Sequence, residues 1–442
     1  MKQYLLLIVF SFPVLCYAIE TRTLKDSLSK ALEHSPYLKL QQKNVDAQKA
    51  EVRIAWSPFL PQMQSELGKG LQSKTNYFTK LQKKRFDATG NSPIMSINTE
   101  LEQNTAYWNV TAKQELFKGF GNYHNLKEKK KLLEMAELDH TTEKNNLIYT
   151  VIGTYVEILN LENTLDFLEK AKASAQEQER NLQKRFEVQT VQKSDVEKAE
   201  EKFLELDWRE LEAKQALEIA QSKFNQLLGE PITQTFKLSP LHIKNLSIQP
   251  LNSYLEHLPK NLELERIETE VQKDRYKRRK TFAQNLLMPN VGFEFNYGER
   301  GWKFTDLEPD WKLGVVVRAP LFDGLENFSE QSKAQAGLEA TQLKSHLTRE
   351  SVQIDIKKNV YSFQALEKNA AYLKKKWERE QHLYDQTRKS LKQGAATLAQ
   401  LHAAEVSVIE TEHLLFKNKR QQLLNVIALQ KLIGEIHYDN LF

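Results

Sequence analysis

The amino-acid sequence predicts a mixed α and β membrane protein in which one unit of short strands and long helices occurs twice. Two observations lead to this prediction. Residue patterns of the first half return in the same order in the second half, and short alternating strands interrupt long charged helices. The composition agrees, because charged residues make up 27% of the 442 residues while only 15 glycines and 12 prolines are present. Such chains typically form long solvated helices rather than compact globules.

Charge and motif content exclude several classes of function. The 63 basic and 58 acidic residues leave a net charge of only +5, and basic residues alternate with acidic ones instead of forming a patch. This pattern does not indicate nucleic-acid binding. The chain has none of the short motifs of nucleotide-binding, hydrolytic or zinc-dependent enzymes, so we predict no enzymatic activity, metal or cofactor. Glu410, Glu412 and His413 resemble a ligand cluster but are expected on a solvated helix face.

The N-terminus has the pattern of a secretory signal sequence. Lys2 supplies a positive charge, and residues 4–15 form an apolar segment too short to span a membrane. Small side chains at Cys16 and Ala18 suit a cleavage site, so we predict that residues 1–18 are the signal peptide. Lipid attachment to Cys16 is the alternative, but the residue before it is the bulky Leu15.

The exported chain can be periplasmic, secreted or part of an outer-membrane barrel. No later segment approaches 18 continuous apolar residues, so no transmembrane helix is predicted. In a sequence, an outer-membrane barrel is indicated only by short strands in which apolar and polar residues alternate.

Four motifs of the first half return in the second half in the same order. Single matches of this kind are common, but an ordered set is not. Two of the four pairs share an offset of 205 positions, so the sequence between them carries no net insertion. The pairs are 32–36 with 255–259, 59–61 with 287–289, 115–119 with 320–324, and 227–230 with 432–435.

The motifs divide the chain into two predicted repeats, at 19–229 and 254–442, with a proline-containing linker at 230–253. Each repeat is expected to contain a helix, two strands and a long helical hairpin. Repeat 1 has the helix at 22–57, strands near 62–67 and 109–116, and the hairpin at 122–229. Repeat 2 has the helix at 254–288, strands near 290–297 and 311–318, the hairpin at 325–434 and a short tail.

The helical hairpins are predicted from an apolar stripe with helical spacing on otherwise charged segments. Residues 122–185 contain no proline and one glycine, which allows a rod of roughly 95 Å. The chain is expected to reverse near 187–191 and near 393–396. The stripe comprises Leu147, Val151, Tyr155, Ile158 and Leu165, and in the second copy Val352, Ile356, Val360 and Phe363.

The four strands alternate between apolar and polar residues, which predicts one outward and one inward face. The same alternation suits a half-buried sheet in water. Aromatic residues expected at strand ends (Trp108, Trp302, Trp311, Tyr107 and Tyr297) favour a membrane instead. The predicted lipid-facing set is Met63, Leu67, Val110, Ala112, Phe293, Phe295, Leu313 and Val315. The predicted lumen-facing set is Glu66, Lys113, Glu294, Asn296, Lys312 and Arg318.

Four strands cannot close a barrel, and an open sheet edge cannot face hydrocarbon because each unpaired backbone group costs several kcal/mol. If the strands cross a membrane, several chains must therefore contribute to one barrel, and symmetry favours a closed ring. The sequence leaves the number of chains open.

The ordered motifs resemble those of the TolC family of outer-membrane factors over nearly the whole mature chain. The similar segments are 35–36 with 55–62 before the first strand, 115–119 and 319–324 after strands, and 185–188 with 194–196 and 199–200 at the first hairpin. The resemblance implies a trimer with a 12-stranded outer-membrane barrel that continues into a periplasmic α-helical tunnel. It also implies a periplasmic adaptor protein and an inner-membrane pump, either an ABC transporter or a proton-driven pump. The implied function is a passive exit duct for efflux or for type I secretion.

The resemblance also implies a periplasmic gate formed by acidic residues near the hairpin tips. Asp195 matches the acidic position of the first hairpin, whereas Gln400 and Ala403 fall at the matching positions of the second. The alternative for Asp195 is helix N-capping together with Ser194. Adaptor contacts are expected at the tips, which comprise Val188, Gln189, Thr190, Gly394, Ala395 and Ala396. Gln189 replaces a glycine of the family pattern that Gly394 retains.

Two further alternatives stay open. An exported periplasmic coiled-coil structural protein without a channel explains the helices and the signal peptide, but not the paired strands. The cargo (protein, drug or metal) is not readable from the sequence. A basic segment at 83–85 is expected in water between the first two strands, with contact to anionic surface lipid as the lesser alternative.

Overall fold

The computed structural model describes residues 20–73, 102–241, 246–285, 289–301, 304–305, 307–319, 324–434 and 436. The predicted signal peptide at 1–18 with Cys16, the basic segment at 83–85, Trp302 and the end of the tail lie outside the described residues. The chain divides into two compact units, and each takes residues from both predicted repeats. Unit 1 comprises Met1–Asn44, Glu137–Arg266 and Leu347–Phe442, and unit 2 comprises Val45–Ala136 and Ile267–His346.

The two long helical hairpins occur as predicted. Helix α3 (Gly121–Glu187) and helix α4 (Lys193–Leu228) form the first, and helix α7 (Glu326–Lys392) and helix α8 (Leu398–Leu432) form the second. The predicted apolar stripes are confirmed, because eight of the nine side chains are buried and Leu165 is half-buried. Within the described residues, no helix is both long enough and apolar enough to cross a membrane.

The predicted continuous helix at 22–57 is wrong, because the chain breaks at Ser35 between helix α1 (Leu24–His34) and helix α2 (Pro36–Trp56). The backbone of Ser35 has φ −55° and ψ 128°, outside the helical region. Proline disfavours helical backbone at the residue before it, which accounts for the break.

The predicted helix at 254–288 is also interrupted. Helix α5 (Leu251–Glu256) is followed by a 3₁₀ turn at Leu258–Lys260 and then by helix α6 (Leu262–Asn285). The side chain of Asn261 begins α6 by accepting a hydrogen bond from the Leu264 N–H at 2.9 Å. Pro259 has no N–H to continue the preceding helix.

The predicted linker at 230–253 contains a strand that the sequence analysis did not predict. Strand β4 (Phe236–Leu238) pairs in parallel with strand β1 (Glu20–Arg22). The buried Arg22 forms an ion pair with Glu230 at 2.6 Å, and its guanidinium lies 4.6 Å from the centre of the Phe236 ring. Strands of three residues carry too little alternation for detection in sequence.

The core of unit 1 packs the long helices against α1 and β4. Tyr155 is fully buried there, and its hydroxyl donates a 2.6 Å hydrogen bond to the carbonyl oxygen of Ser239. Burial raises the pKa of Tyr155 to about 12, and the nearby Glu162 carboxylate adds to this. The interaction connects α3 to the segment that follows β4.

Backbone turns repeat with the same offset as the sequence motifs. Among the described residues, all those with positive φ fall into pairs separated by 205 positions. This agrees with the two-repeat organisation, because a turn geometry is then reproduced even where the residue type differs. The pairs are Gly119 with Gly324, Phe120 with Leu325, Gln189 with Gly394, and Gly229 with Gly434.

Candidate functional site

The strands of unit 2 form one antiparallel sheet in the order β2-β3-β5-β6. Each strand is longer than predicted, because backbone pairing continues into residues that do not alternate between apolar and polar. The bounds are Gln62–Ser73 for β2, Glu102–Lys118 for β3, Asn290–Gly301 for β5 and Glu308–Arg318 for β6. Among the strands that the structure describes, β2 and β6 each have one neighbour, so the outer edge of each is open there.

The register places the predicted lipid-facing residues on one face of the sheet. Met63 lies opposite Ala112, Ala112 opposite Phe295, and Phe295 opposite Leu313. Neighbouring rows add Leu67, Val110, Phe293 and Val315 to this face, which we call the apolar face. Met63 is 72% exposed and Val315 63%. A face of large apolar side chains is therefore open on this sheet.

The predicted lumen-facing residues lie together on the opposite, polar face. Lys113 lies opposite Glu294, and Asn296 opposite Lys312. The Arg318 guanidinium donates to Glu294 at 3.3 Å. Glu66 shares this face, because it lies opposite Asn109, which is four residues before Lys113 on β3 and therefore on the same face.

The aromatic residues do not lie at strand ends, which corrects that part of the prediction. Trp108, Tyr297 and Trp311 lie within the longer strands on the apolar face, and the rings of Trp108 and Tyr297 meet edge to face at 6.3 Å. Tyr107 lies on the polar face instead. Its hydroxyl donates to Glu66 at 2.9 Å, and its ring covers Gly68 on the facing strand, so a Cβ at Gly68 would require the ring to move.

The first hairpin tip turns through Gln189, which has φ 56°. The N–H of Thr190 donates to the carbonyl oxygen of Arg185 at 2.9 Å, which closes the end of α3. All three predicted contact residues, Val188, Gln189 and Thr190, are exposed, and Val188 is 69% exposed.

The second hairpin tip repeats this geometry at positions 205 residues later. Gly394 has φ 73°, and the N–H of Ala395 donates to the carbonyl oxygen of Ser390 at 2.8 Å. Thr397 caps α8 by accepting from the Gln400 N–H at 3.2 Å, while the Gln400 side chain accepts from the Thr397 N–H at 2.8 Å. Gly394 and Ala395 are exposed and Ala396 is half-buried.

Asp195 is the third residue of α4 and not its N-cap, which is Gln192. The Asp195 carboxylate accepts a hydrogen bond from the Gln192 N–H at 3.3 Å, the same role that Gln400 has in the second hairpin. A groove between α3 and α4 is lined by Asp195 together with Lys198 and Lys202. The second hairpin has Ala403 and Ser407 at the positions of the two lysines.

His413 departs from the solvated position expected for it. It is half-buried, its ring stacks on Phe167 at 6.3 Å, and its Nδ1 atom is buried without a hydrogen-bond partner. Burial lowers the pKa of His413, as do Lys417 and Arg420. In the part of the chain that the structure describes, no three His, Cys, Asp or Glu side chains cluster as metal ligands.

Comparison with known proteins identifies the family. The sequence model of the outer membrane efflux protein family matches residues 27–230 and 256–435, which is most of the chain. This chain belongs to the outer membrane efflux protein family. The two matched segments also correspond closely to the two predicted repeats.

Relatives of this efflux protein agree with that assignment. The outer membrane protein TolC of Vibrio cholerae serotype O1 (strain ATCC 39315 / El Tor Inaba N16961) is 25% identical over 240 residues. The match covers 51% of this chain and 53% of the relative, so it spans about half of the relative's length.

Solved structures share the fold at low sequence identity. The outer membrane channel CmeC of Campylobacter jejuni matches with a TM-score of 0.78 and 14% identity over 98% of this chain and 94% of that chain. The outer membrane protein VceC of Vibrio cholerae matches with a TM-score of 0.75 and 14% identity over 93% and 96%. The fold is therefore TolC-like, as the sequence motifs predicted.

Family and fold together place this efflux protein in the outer membrane, with its helical part in the periplasm. The family is one of ducts and not of enzymes. The alternative of a coiled-coil protein without a channel does not agree with either finding.

Proposed function

We propose that this chain is one subunit of a passive exit duct, in which three copies close one barrel across the outer membrane. The observation that carries the proposal is the sheet of unit 2, with one exposed apolar face and open edges at β2 and β6. An open edge in lipid leaves backbone groups without partners at several kcal/mol each. Pairing with further copies removes this cost, and a ring leaves no edge.

Strand directions support closure by this route. All three neighbouring pairs in the sheet are antiparallel, so β2 and β6 run in opposite directions. The β6 edge of one copy can therefore continue the antiparallel order with the β2 edge of the next. Three copies give twelve strands, with the apolar face toward lipid and the polar face toward the lumen.

Adjacent residues of β5 test the assignment of faces. Phe295→Lys puts a charge on the apolar face, where a lysine near the membrane midplane costs about 2–4 kcal/mol. Asn296→Lys is the matched control, because it puts the same charge on the polar face one residue later. We expect Phe295→Lys to reduce the heat-modifiable oligomer in outer-membrane fractions and Asn296→Lys to leave it unchanged. Equal yields from the two variants would overturn the proposed faces.

The hairpin tips are the proposed contact site for a periplasmic adaptor, which joins the duct to an inner-membrane pump. Five of the six tip residues are exposed and none of the six is charged, which suits a helical partner that packs over them. The only cysteine is Cys16, so a cysteine introduced at Val188 or Gly394 is unique once the signal peptide is removed. Crosslinks from the tips should capture an adaptor, and Ala173→Cys, about four turns before the end of α3, should not. Capture from Ala173 alone contradicts this site.

Asp195 is the proposed acidic element of the periplasmic gate. Three copies would place three carboxylates at one level and favour cations there, although Lys198 and Lys202 line the same groove and partly offset the charge. Asp195→Asn should lower cation selectivity and divalent-cation block in single-channel recordings. Glu197→Gln is the control, because Glu197 is already paired with Lys193 at 3.1 Å. Unchanged selectivity in Asp195→Asn excludes the gate role.

The cargo follows from the pump and not from this chain. Export of proteins requires an ABC transporter of type I secretion, whereas efflux of drugs or metals also uses proton-driven pumps. Identification of the inner-membrane protein that co-purifies with the crosslinked adaptor distinguishes these alternatives.

A further inference from the structure

One segment of helix α6 departs from the even mixture of charges found elsewhere. Residues 273–280 contain six basic side chains and one acidic side chain, a net charge of +5 that equals the net charge of the whole chain. The segment lies shortly before strand β5, on the side of the sheet from which α6 arrives. Helix α3, which begins directly after β3, carries a second basic segment at 127–131. The basic residues therefore concentrate where helices meet the sheet.

The acidic residues of this region already have basic partners. Glu128 pairs with Lys280 at 2.5 Å, and Asp274 pairs with Lys273 at 3.1 Å. Glu51 of α2 pairs with Lys129 at 3.0 Å. These pairs use the local carboxylates and leave the other cations of the region uncompensated.

Six cations of α3 and α6 have no carboxylate partner within ion-pair distance among the described residues. Five of them are exposed and Lys127 is half-buried. Three lie beside aromatic rings: Lys127 is 5.6 Å from the centre of the Tyr123 ring, Lys130 is 5.9 Å from Trp56, and Arg279 is 6.0 Å from Tyr276. We call the six the basic collar. Its members are Lys127, Lys130, Arg275, Lys277, Arg278 and Arg279.

Exposed apolar side chains adjoin the collar on the side of the strands. On α6, Arg275, Arg278 and Phe282 follow a helical spacing of three and four residues, so they share one face. Phe282 is 50% exposed and lies nearer to β5 than the arginines do. On α3, the exposed Tyr123 likewise precedes Lys127 and lies nearer to β3. On both helices the aromatic ring lies nearer to the sheet along the chain, and the cations lie one to two turns farther from it.

We propose that the basic collar binds the anionic phosphate headgroups of phospholipids in the periplasmic leaflet of the outer membrane. Aromatic side chains favour the membrane–water interface, and lysine and arginine next to them reach the headgroup level. This proposal rests on the proposed function, in which the sheet crosses the outer membrane. The collar adds an electrostatic anchor where the barrel ends and the helices begin.

The size of the effect follows from the charge of the collar. A basic side chain near an anionic membrane surface contributes about 1 kcal/mol, and 1.4 kcal/mol corresponds to a factor of ten. Removal of three charges should therefore weaken the preference for anionic lipid by about a hundredfold. The interaction should also weaken with added salt, because exposed charges are screened within about 8 Å at physiological ionic strength.

The test compares the unchanged full-length protein with its triple variant Arg275→Gln/Arg278→Gln/Arg279→Gln, both in nanodiscs. The nanodiscs contain either phosphatidylcholine alone or an equal mixture with phosphatidylglycerol, and lipid that remains bound is counted by native mass spectrometry. We expect the unchanged protein to enrich phosphatidylglycerol and the variant to lose most of that enrichment. The same three positions changed to lysine should keep it, which separates a loss of charge from a loss of folding.

A matched control removes three exposed lysines far along helix α7. Lys357→Gln/Lys358→Gln/Lys374→Gln should leave phosphatidylglycerol enrichment unchanged, because these side chains lie many turns from the sheet. Equal enrichment in the collar variant and the unchanged protein overturns the proposal. So does a collar variant that dissociates into monomers, since the collar then faces a neighbouring copy. A collar variant that changes ion selectivity but not lipid content places the cations in the lumen and also overturns it. Unchanged conductance of that variant leaves the duct function intact, so the two proposals fail separately.

Discussion

The two hairpin tips have the same backbone and different side chains. Both turn through a residue in the left-handed region, Gln189 in one and Gly394 in the other, and both begin the next helix with a reciprocal hydrogen-bonded cap. The cap uses the charged Asp195 in the first tip and the neutral Gln400 in the second. The two tips thus share their backbone geometry and the hydrogen bonds of the cap, and they differ in the charge of the capping side chain.

The largest expected effect concerns the glycines that end the second helix of each hairpin. Gly434 has φ 89° and a Cβ there would overlap the carbonyl oxygen of Lys260, whereas a Cβ at Gly229 would lie 2.7 Å from the carbonyl oxygen of His34. Alanine at either position should lower the free energy of unfolding by at least about 2 kcal/mol, with the greater loss at Gly434. The denaturant midpoint followed by circular dichroism measures this.

Gly337 within α7 is the control for these two substitutions. Its φ is not positive and a Cβ there meets nothing within 4 Å. Gly337→Ala should raise stability by up to about 1 kcal/mol, because alanine is the better helix former. Similar losses at all three glycines would mean that the special backbone of Gly229 and Gly434 is not the cause.

An exchange of turn residues between the tips should have opposite effects of about 1 kcal/mol each. Gln189→Gly removes the cost of a left-handed conformation for a residue with a Cβ, and Gly394→Gln introduces it. Amide hydrogen exchange at Thr190 and Ala395 reports the local opening of each tip. We expect slower exchange in the first variant and faster exchange in the second. Changes of the same sign in both tips would show that the turns are not equivalent.

A change of charge at the two capping residues, Asp195 and Gln400, should have a smaller effect on helix stability. Gln400→Glu puts a negative charge at a helix N-terminus, which favours the helix by roughly 0.5 kcal/mol at low salt. Asp195→Asn should lose a similar amount at the first tip. Exchange rates of the first-turn amides measure both, and added salt should reduce both. Insensitivity to salt would rule out the helix dipole as the cause.

The smallest expected effect is a pH dependence of stability that comes from His413. The equivalent residue of the first hairpin, 205 positions earlier, is the exposed Trp208. Because burial, Lys417 and Arg420 lower the pKa of His413, the unfolded chain takes up a proton first as the pH falls. Its contribution to stability is complete above about pH 6.5 and decreases below that value. His413→Gln should remove this acid sensitivity, as measured from denaturant midpoints across the pH range. Glu410 opposes the shift and is left unchanged.

Local periodicity explains which features could be predicted. The hairpins and the two faces of the sheet follow from apolar spacings of about 3.6 and 2 residues, and each segment displays its spacing without reference to the rest of the chain. Periodicity does not reveal the helix breaks at Ser35 and Pro259, because the apolar spacing continues across them. Periodicity also does not show that Asp195 is the third residue of α4, since the first residue of that helix depends on how the tip turns.

Contacts between distant segments explain the remainder. Phe295 pairs with Ala112, and Glu20 pairs with Phe236, across intervals that no sequence period covers. The basic collar likewise combines segments of α3 and α6 that are far apart in sequence. The ion pairs Glu128–Lys280 and Glu51–Lys129, which occupy nearby carboxylates, form only when the helices pack.

By itself the sequence determined the long hairpins, the apolar and polar sets of the strands and the membership of the family, and it predicted the duplication. Each of these depends on residue type and spacing within one segment, or on motifs that recur in order. The tertiary structure alone decided the β1–β4 pair, the strand lengths, the equivalence of Asp195 and Gln400 in the caps, and which cations remain without a partner. Those features depend on which segments meet, and a linear pattern does not contain the contacts that stabilise them.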